Sequence, residues 1–399
     1  MSQPHSSAHV AVTGIGLLTP LGDDPAAIAM AMNSGRSSVE ECAEAALGAR
    51  LRDFDARRYA NVRGMRVYPR NTQLQICAAT LALRDAGLEP SQIDPLELGT
   101  VTASTYAHME TLLEYDRGLV TVGIQRTNPT LFPLALPSAP GALTALSLGA
   151  RAFAITVSDG AASGLAALGV AERMLAQGRA AICVVVGAFT HCAELSLSAT
   201  RAGMLTDGAG FRVFDRRSRG TFFGELAAAL VLERPERAHA RGKEPLGYVR
   251  GHAASFASEP ALRERALVRA CRAALAAADS SPGQLSLVCS GASGAPESDA
   301  AEARALHELL GESRERVAIT APKSQLGESL DASGLVQAAS ALLSLRSGMA
   351  PPILGLEQPA VPGLRYLRRA GELVPGCSLL TSTSPTGACS ALLLSVNHE

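Results

Sequence analysis

Thr156-Val157-Ser158-Asp159-Gly160-Ala161-Ala162-Ser163-Gly164-Leu165 is the stretch on which the reading of this chain turns. The β-rich run before it predicts a strand over Ile155–Ser158. Small residues then permit a sharp turn, and Ala162–Gln177 repeats apolar positions at helical spacing until Gly178 stops it. Enzymes use a strand–turn–helix of this kind to expose a nucleophile at a helix N-terminus. There the dipole and the free N–H groups stabilise a thiolate or an oxyanion. The apex residue here is Ala161, whose methyl group cannot attack a carbonyl.

The same alternation extends outward in both directions. His9–Leu18 (HVAVTGIGLL) predicts a strand, Asp24–Ser34 a helix, Asn71–Ala86 a helix closed by Gly87, and Leu98–Ser104 a further strand. Ala181–Ala188 (AICVVVGA) is apolar throughout, as in a strand covered on both faces, and Phe223–Glu233 reads as another. Beyond the charged stretch Arg234–Lys243 the pattern restarts. Strands are predicted over Leu246–Ala253, Leu285–Ser290, Val317–Ala321, Ser378–Ser382 and Ser390–Val396, with helices over Pro260–Ala278, Asp299–Leu310 and Ser333–Arg346. Such alternation predicts an α/β protein built of βα units. The two halves share element order but little sequence, and Arg234–Glu244 is the expected boundary between residues 1–240 and 241–399.

Composition narrows the function. The chain has 399 residues, 47% hydrophobic and 18% charged, enough apolar material for a large core and too much for a disordered chain. With 36 basic against 37 acidic side chains there is no electrostatic case for nucleic acid. Eight cysteines (Cys42, Cys77, Cys183, Cys192, Cys271, Cys289, Cys377, Cys389) include no CxxC pair, so they are expected to be buried thiols rather than disulfides or metal ligands. No secretory h-region opens the chain and no apolar run reaches membrane-spanning length, so a cytoplasmic protein without membrane contact is expected.

Six ordered segments resemble the β-ketoacyl synthase family of the thiolase superfamily: VAVTGIGLLTPLG (Val10–Gly22), NPTLFPLALPSAPG (Asn128–Gly141), TVSDGAASGL (Thr156–Leu165), GMLTDGAGFRVFDRRSRGTFFGELAAALVLE (Gly203–Glu233), GASGAPESDAAEARAL (Gly291–Leu306) and APKSQLGESLDASGLVQAASALLSLRSG (Ala321–Gly348). The resemblance implies a thiolase-like fold, two similar βα halves giving a layered α-β-α-β-α architecture. It also implies a catalytic set of an elbow Cys and two His residues. Carried over residue by residue, the nucleophile position is Ala161, the first His position is Gly291 and the second is Glu328. Lys323, Ser324 and Gly327 of the family's Lys-Ser-x-x-Gly-His pattern remain, as do Asp299 and Glu302. Where the family's C-terminal Gly-Phe-Gly-Gly loop supplies an oxyanion-hole N–H, Pro385 has none to donate. Losing one such donor typically costs ~100- to 1000-fold in rate.

Family members without the elbow Cys include the chain length factors, the β-subunits of type II polyketide synthases. The resemblance to that group implies a non-catalytic subunit that pairs with an active ketosynthase α-subunit and shapes the tunnel controlling chain length. It implies no cofactor of its own, the substrate being carried on the phosphopantetheine arm of an acyl carrier protein. The best-known aromatic-pathway members carry Gln at the elbow, so Ala161 weakens a Gln-assisted decarboxylase role and suits a more divergent branch, one for polyene or aryl-polyene chains. Spacing proposes the tunnel residues. His108–Tyr115 (HMETLLEY) reads as a helix whose Leu112 and Leu113 fall where active relatives place acyl-pocket residues. The loop Thr130, Leu131, Phe132, Pro133 matches the dimer-contact segment. The plain alternative for all six is ordinary interface core.

Plain readings stand beside the other candidates. Asp159 and Ser163 are read as turn and cap residues, Glu328 as solvated or salt-bridged, and Lys323 as pairing Glu328 or Glu302. Cys289 and Cys389 are read as packing residues, and His108, His191 and His307 as structural or exposed. Arg212, Arg216, Arg217 and Arg219 read as a solvated loop that could steer an acidic carrier protein. Two competing functions are a stand-alone acyl-binding homodimer and an acyltransferase using a displaced residue, Ser163 or Glu328.

Overall fold

The computed structural model describes residues 9–41, 47–206 and 211–397. Cys42, the opening residues 1–8 and positions 207–210 of the Gly203–Glu233 stretch lie outside them. Eleven strands form the main sheet: β1 (Val10–Leu18), β2 (Leu98–Ala103), β3 (Phe153–Val157), β4 (Ile182–Phe189), β5 (Leu226–Glu233), β6 (Gly247–Phe256), β7 (Leu285–Cys289), β8 (Ala318–Thr320), β9 (Arg365–Tyr366), β10 (Cys377–Thr383) and β11 (Ala388–Ser395). Their order across the sheet is β9-β8-β7-β10-β11-β6-β1-β5-β4-β2-β3. The seam is the antiparallel pair β1–β6, with Val10 opposite Val249. Outward from it the sequences β1-β5-β4-β2-β3 and β6-β11-β10-β7-β8 run through the same pattern, two antiparallel pairings then two parallel ones. The duplication that the sequence hides is written in the topology.

The helices used below are α1 (Arg70–Asp85), α2 (Met109–Thr121), α3 (Ala139–Leu148), α4 (Ser163–Ala176), α5 (Arg263–Ala277), α6 (Pro296–Leu310) and α7 (Ser333–Ser347). The largest core cluster joins α4 and α7 to strands of both halves, through Leu165, Leu168 and Leu175 on one helix and Leu335, Ala338 and Leu342 on the other. A second layer packs α1 on the outer face of β4 and β5. A third packs α5 and α6 on the second half of the sheet. Gly164 and Gly334 make the central contact possible: a Cβ on Gly164 would lie 2.9 Å from the Gly334 Cα. Small residues let two backbones touch, so the two helix N-termini meet beside the elbow.

Several boundaries differ from expectation. Helix α6 begins at Pro296, three residues before Asp299, because proline suits the first helical turn. The predicted Phe223–Glu233 strand is split at Glu225, whose carboxylate accepts from Arg70 and from the Leu51 amide. Leu131–Leu134 forms one helical turn where a loop was expected. The charged stretch after β5 contains a short helix, Pro235–Ala240, and Arg241 ties it down by pairing with buried Glu233 at 2.6 Å and donating to the Ala86 carbonyl. The charges there anchor the segment to the first half.

Candidate functional site

The elbow is built as the sequence requires, with a finer turn. After β3 a single 3-10 turn, Gly160–Ala162, precedes α4. Asp159 makes no side-chain cap; its backbone N–H donates instead to Ser163 Oγ at 2.8 Å. Ser163 is fully buried and lies 3.2 Å from Thr105 Oγ1, which also accepts from the Gly160 N–H at 3.0 Å. That hydroxyl is locked into the turn. Ala161, at the apex, is 2% exposed. Phe189, Ala199, Phe223 and Leu330 pack around it, with Tyr106 and Leu205 closing the sides. The Phe189 and Phe223 rings lie 5.2 Å apart, so aromatic surface fills the space before the elbow.

The fold brings the other aligned positions to this point. Ser382, near the end of β10, donates to the Ala161 carbonyl at 2.8 Å. Gly291 follows β7 against the same strand, and a Cβ there would lie 2.5 Å from the Thr381 carbonyl oxygen. No side chain fits at Gly291 unless backbone moves. Pro385 is at an exposed loop tip, while the preceding Ser384 is buried beside Gly160. Of the two partners open to Lys323, the structure selects Glu328: Nζ to Oε2 is 2.7 Å and both side chains are buried. The other Glu328 oxygen accepts from the Leu330 N–H at 2.8 Å and Ser333 Oγ at 2.7 Å. Glu328 is thus a fully engaged ion pair, not a solvated group.

The retained acids hold backbone. Glu302 accepts from Ser290 Oγ, Thr381 Oγ1 and the Gly291 N–H. Burial pushes its carboxyl up, opposed by those hydroxyl bonds and by the charge of Lys323. Asp299 accepts from the amides of Phe214, Ser293 and Gly294, and burial pushes it up to about 7. Cys289 and Cys389 are buried, and burial pushes both thiols up, which suits packing and not reactivity. Cys77, Cys183, Cys192, Cys271, Cys289 and Cys389 are all free and buried, and Cys377 half-buried.

The remaining candidates lie away from the elbow's packed centre. Leu112 and Leu113 are half-buried on α2, Leu131 is half-buried, and Thr130, Phe132 and Pro133 are exposed. Tyr115 and Phe132 join the two segments, with ring centroids 5.6 Å apart. In the arginine loop Arg216, Arg217 and Arg219 are exposed and Arg212 is half-buried; Arg217 pairs with Asp215 and Glu357, Arg212 with Glu357, and Arg216 bonds Gln358. His108 is buried, His191 bonds Ser196, and His307 is half-buried. Sequence reasoning missed Thr105, Tyr106, Phe189, Phe223, Leu330, Asp331 and Ser382; no periodicity marks them, because they meet only across the fold. Among the described residues no helix is long and apolar enough to cross a membrane.

Comparison with known proteins agrees with this architecture. The family description "Beta-ketoacyl synthase, N-terminal domain" matches residues 7–238, and "Beta-ketoacyl synthase, C-terminal domain" matches residues 246–357. The chain is 30% identical over 411 residues to the tetracenomycin polyketide synthase ketoacyl synthase beta subunit of Streptomyces glaucescens, covering 99% of each. Among solved structures, the ishigamide ketosynthase/chain length factor superposes with a TM-score of 0.89 at 22% identity, over 98% of this chain and 99% of that one. A type II polyketide synthase acyl-carrier protein in complex with its ketosynthase bound to the hexaketide gives a TM-score of 0.86 at 23% identity, over 98% and 100%. With a thiolase-like fold, an elbow at the expected place and both family descriptions matched in order, the chain belongs to the β-ketoacyl synthase family.

Proposed function

We propose that this chain is the non-catalytic subunit of a heterodimeric ketosynthase in type II polyketide synthesis, a chain length factor that shapes the tunnel in which its active partner extends the chain. The observation that carries the reading is the state of the elbow. Its apex is a buried methyl group walled by aromatic rings, and neither the first His position nor the oxyanion loop offers a working group. With Glu328 at the second His position, these four independent losses leave no place for a covalent acyl intermediate. The displaced-residue acyltransferase is disfavoured because Ser163 and Glu328 are each committed to internal hydrogen bonds.

A partner surface supports the same reading. Val122, Ile124, Phe132, Leu136 and Leu146 are exposed, Ile124 by 79%. Val122 and Ile124 follow the end of α2, Phe132 and Leu136 lie on and just after the Leu131–Leu134 turn, and Leu146 is on α3; these elements touch one another and reach β3, the strand at the sheet edge. An apolar belt beside an unpaired edge needs cover, and an active ketosynthase subunit is the occupant proposed. An acyl carrier protein would deliver the chain on its phosphopantetheine arm, and the subunit would need no cofactor and work in the cytoplasm. Co-expression with a ketosynthase α-subunit should give a stable one-to-one complex. Within it, Leu112→Ala or Phe132→Ala should lengthen the products by opening the tunnel floor. A well-behaved homodimer that ignores ketosynthases, or acyl turnover by the isolated chain, would reject the assignment.

A further inference from the structure

The loop that carries Glu328 continues into Leu330 and Asp331. Leu330 has φ 42°, in the left-handed region that a bulky side chain adopts only where its surroundings impose it. Those surroundings are the Glu328 carboxylate on its N–H and the cluster around Ala161 on its side chain. The strained turn sets the place of the next residue. Asp331 is completely buried, and its two oxygens face the first half of the chain: Oδ1 accepts from the Thr105 N–H and Oδ2 from the Tyr106 N–H, each at 2.8 Å.

Thr105 and Tyr106 connect the elbow to α2. The Thr105 hydroxyl accepts from the Gly160 N–H, and the Ser104 amide bonds the Val157 carbonyl at the end of β3. The Tyr106 carbonyl accepts from the Met109 N–H at 3.2 Å, which opens α2. Helix α2 then carries Leu112, Leu113 and Tyr115, the last packed at a tilt against the Phe132 ring. One carboxylate holding two successive amides fixes both the position and the direction of the backbone there, since charge-assisted paired bonds are short and orienting. A carboxylate is costly to bury, and this one is held by the two amides and by the Thr105 and Ser163 hydroxyls.

We propose that Asp331 is a positioning residue for the tunnel-lining segment and thereby a determinant of product length. The proposal rests on the chain-length reading above. It places control of length partly in a loop of the second half.

The test uses the assembled heterodimer, loaded through its carrier protein, with product lengths read by mass spectrometry alongside yield. Asp331→Ala releases both amides and should move the dominant product by at least one extension cycle and broaden the distribution. Asp331→Asn keeps one acceptor oxygen and should give a smaller shift in the same direction, with the complex intact. A purely structural role would lower yield without moving the distribution. Unchanged lengths in both variants, while Leu112→Ala still moves them, would overturn the proposal and leave the chain-length reading standing. If Leu112→Ala and Phe132→Ala are also silent, the chain-length reading itself falls. Failure of the isosteric Asp331→Asn subunit to assemble would also overturn the proposal, since the residue would then act on folding alone.

Discussion

Replacing Glu328 by Leu would strand the Lys323 ammonium, which is 3% exposed and gives its 2.7 Å bond to that carboxylate. Breaking a buried pair by removing one partner typically loses ~3–5 kcal/mol, so about 3–4 kcal/mol is expected. For 399 residues at about 2.1 cal/mol/K each, unfolding entropy near the midpoint is about 0.8 kcal/mol/K, and Tm should fall by about 4–5 °C. Scanning calorimetry of the purified subunit in its complex reads this directly. Lys323→Met together with Glu328→Leu should recover more than half of the loss, since neither charge then needs a partner. A single-variant loss below about 1 kcal/mol, or a double variant no better than the single, would refute the ion-pair argument.

Other outcomes follow from the same geometry. Ala161→Cys should acquire no acyl mass from a thioester donor and should cost about 1–3 kcal/mol by overpacking the aromatic wall, checked by intact mass and thermal unfolding. Asp299, held near 7 against an ordinary 3.8, keeps its proton in the fold after the unfolded chain has lost it. Stability from this group is full below about pH 4 and drains away as pH climbs to 7, by up to about 4 kcal/mol, so denaturant titrations should show Asp299→Asn with a flatter profile across that window. Ile124→Asp should abolish the one-to-one complex on size exclusion while the subunit's own unfolding stays within about 0.5 kcal/mol of wild type, because the side chain is 79% exposed in the isolated chain.

Much of this protein was legible in its residues. The elbow, the α/β alternation and the absent nucleophile at Ala161 are local facts, carried by periodicity, small turn residues and identity at one position. So was the choice of Glu328 or Glu302 for Lys323, though not which of them. The rest depends on distances between segments far apart in the chain. No local pattern shows that Gly291 is pressed against a strand at Thr381, that Phe189 and Phe223 close over Ala161, or that Asp331 holds the amides of Thr105 and Tyr106. Side-chain type fixes what a residue can do, and that is written along the chain. What it touches depends on how the two halves meet at β1 and β6, a matter of packing that no single segment contains.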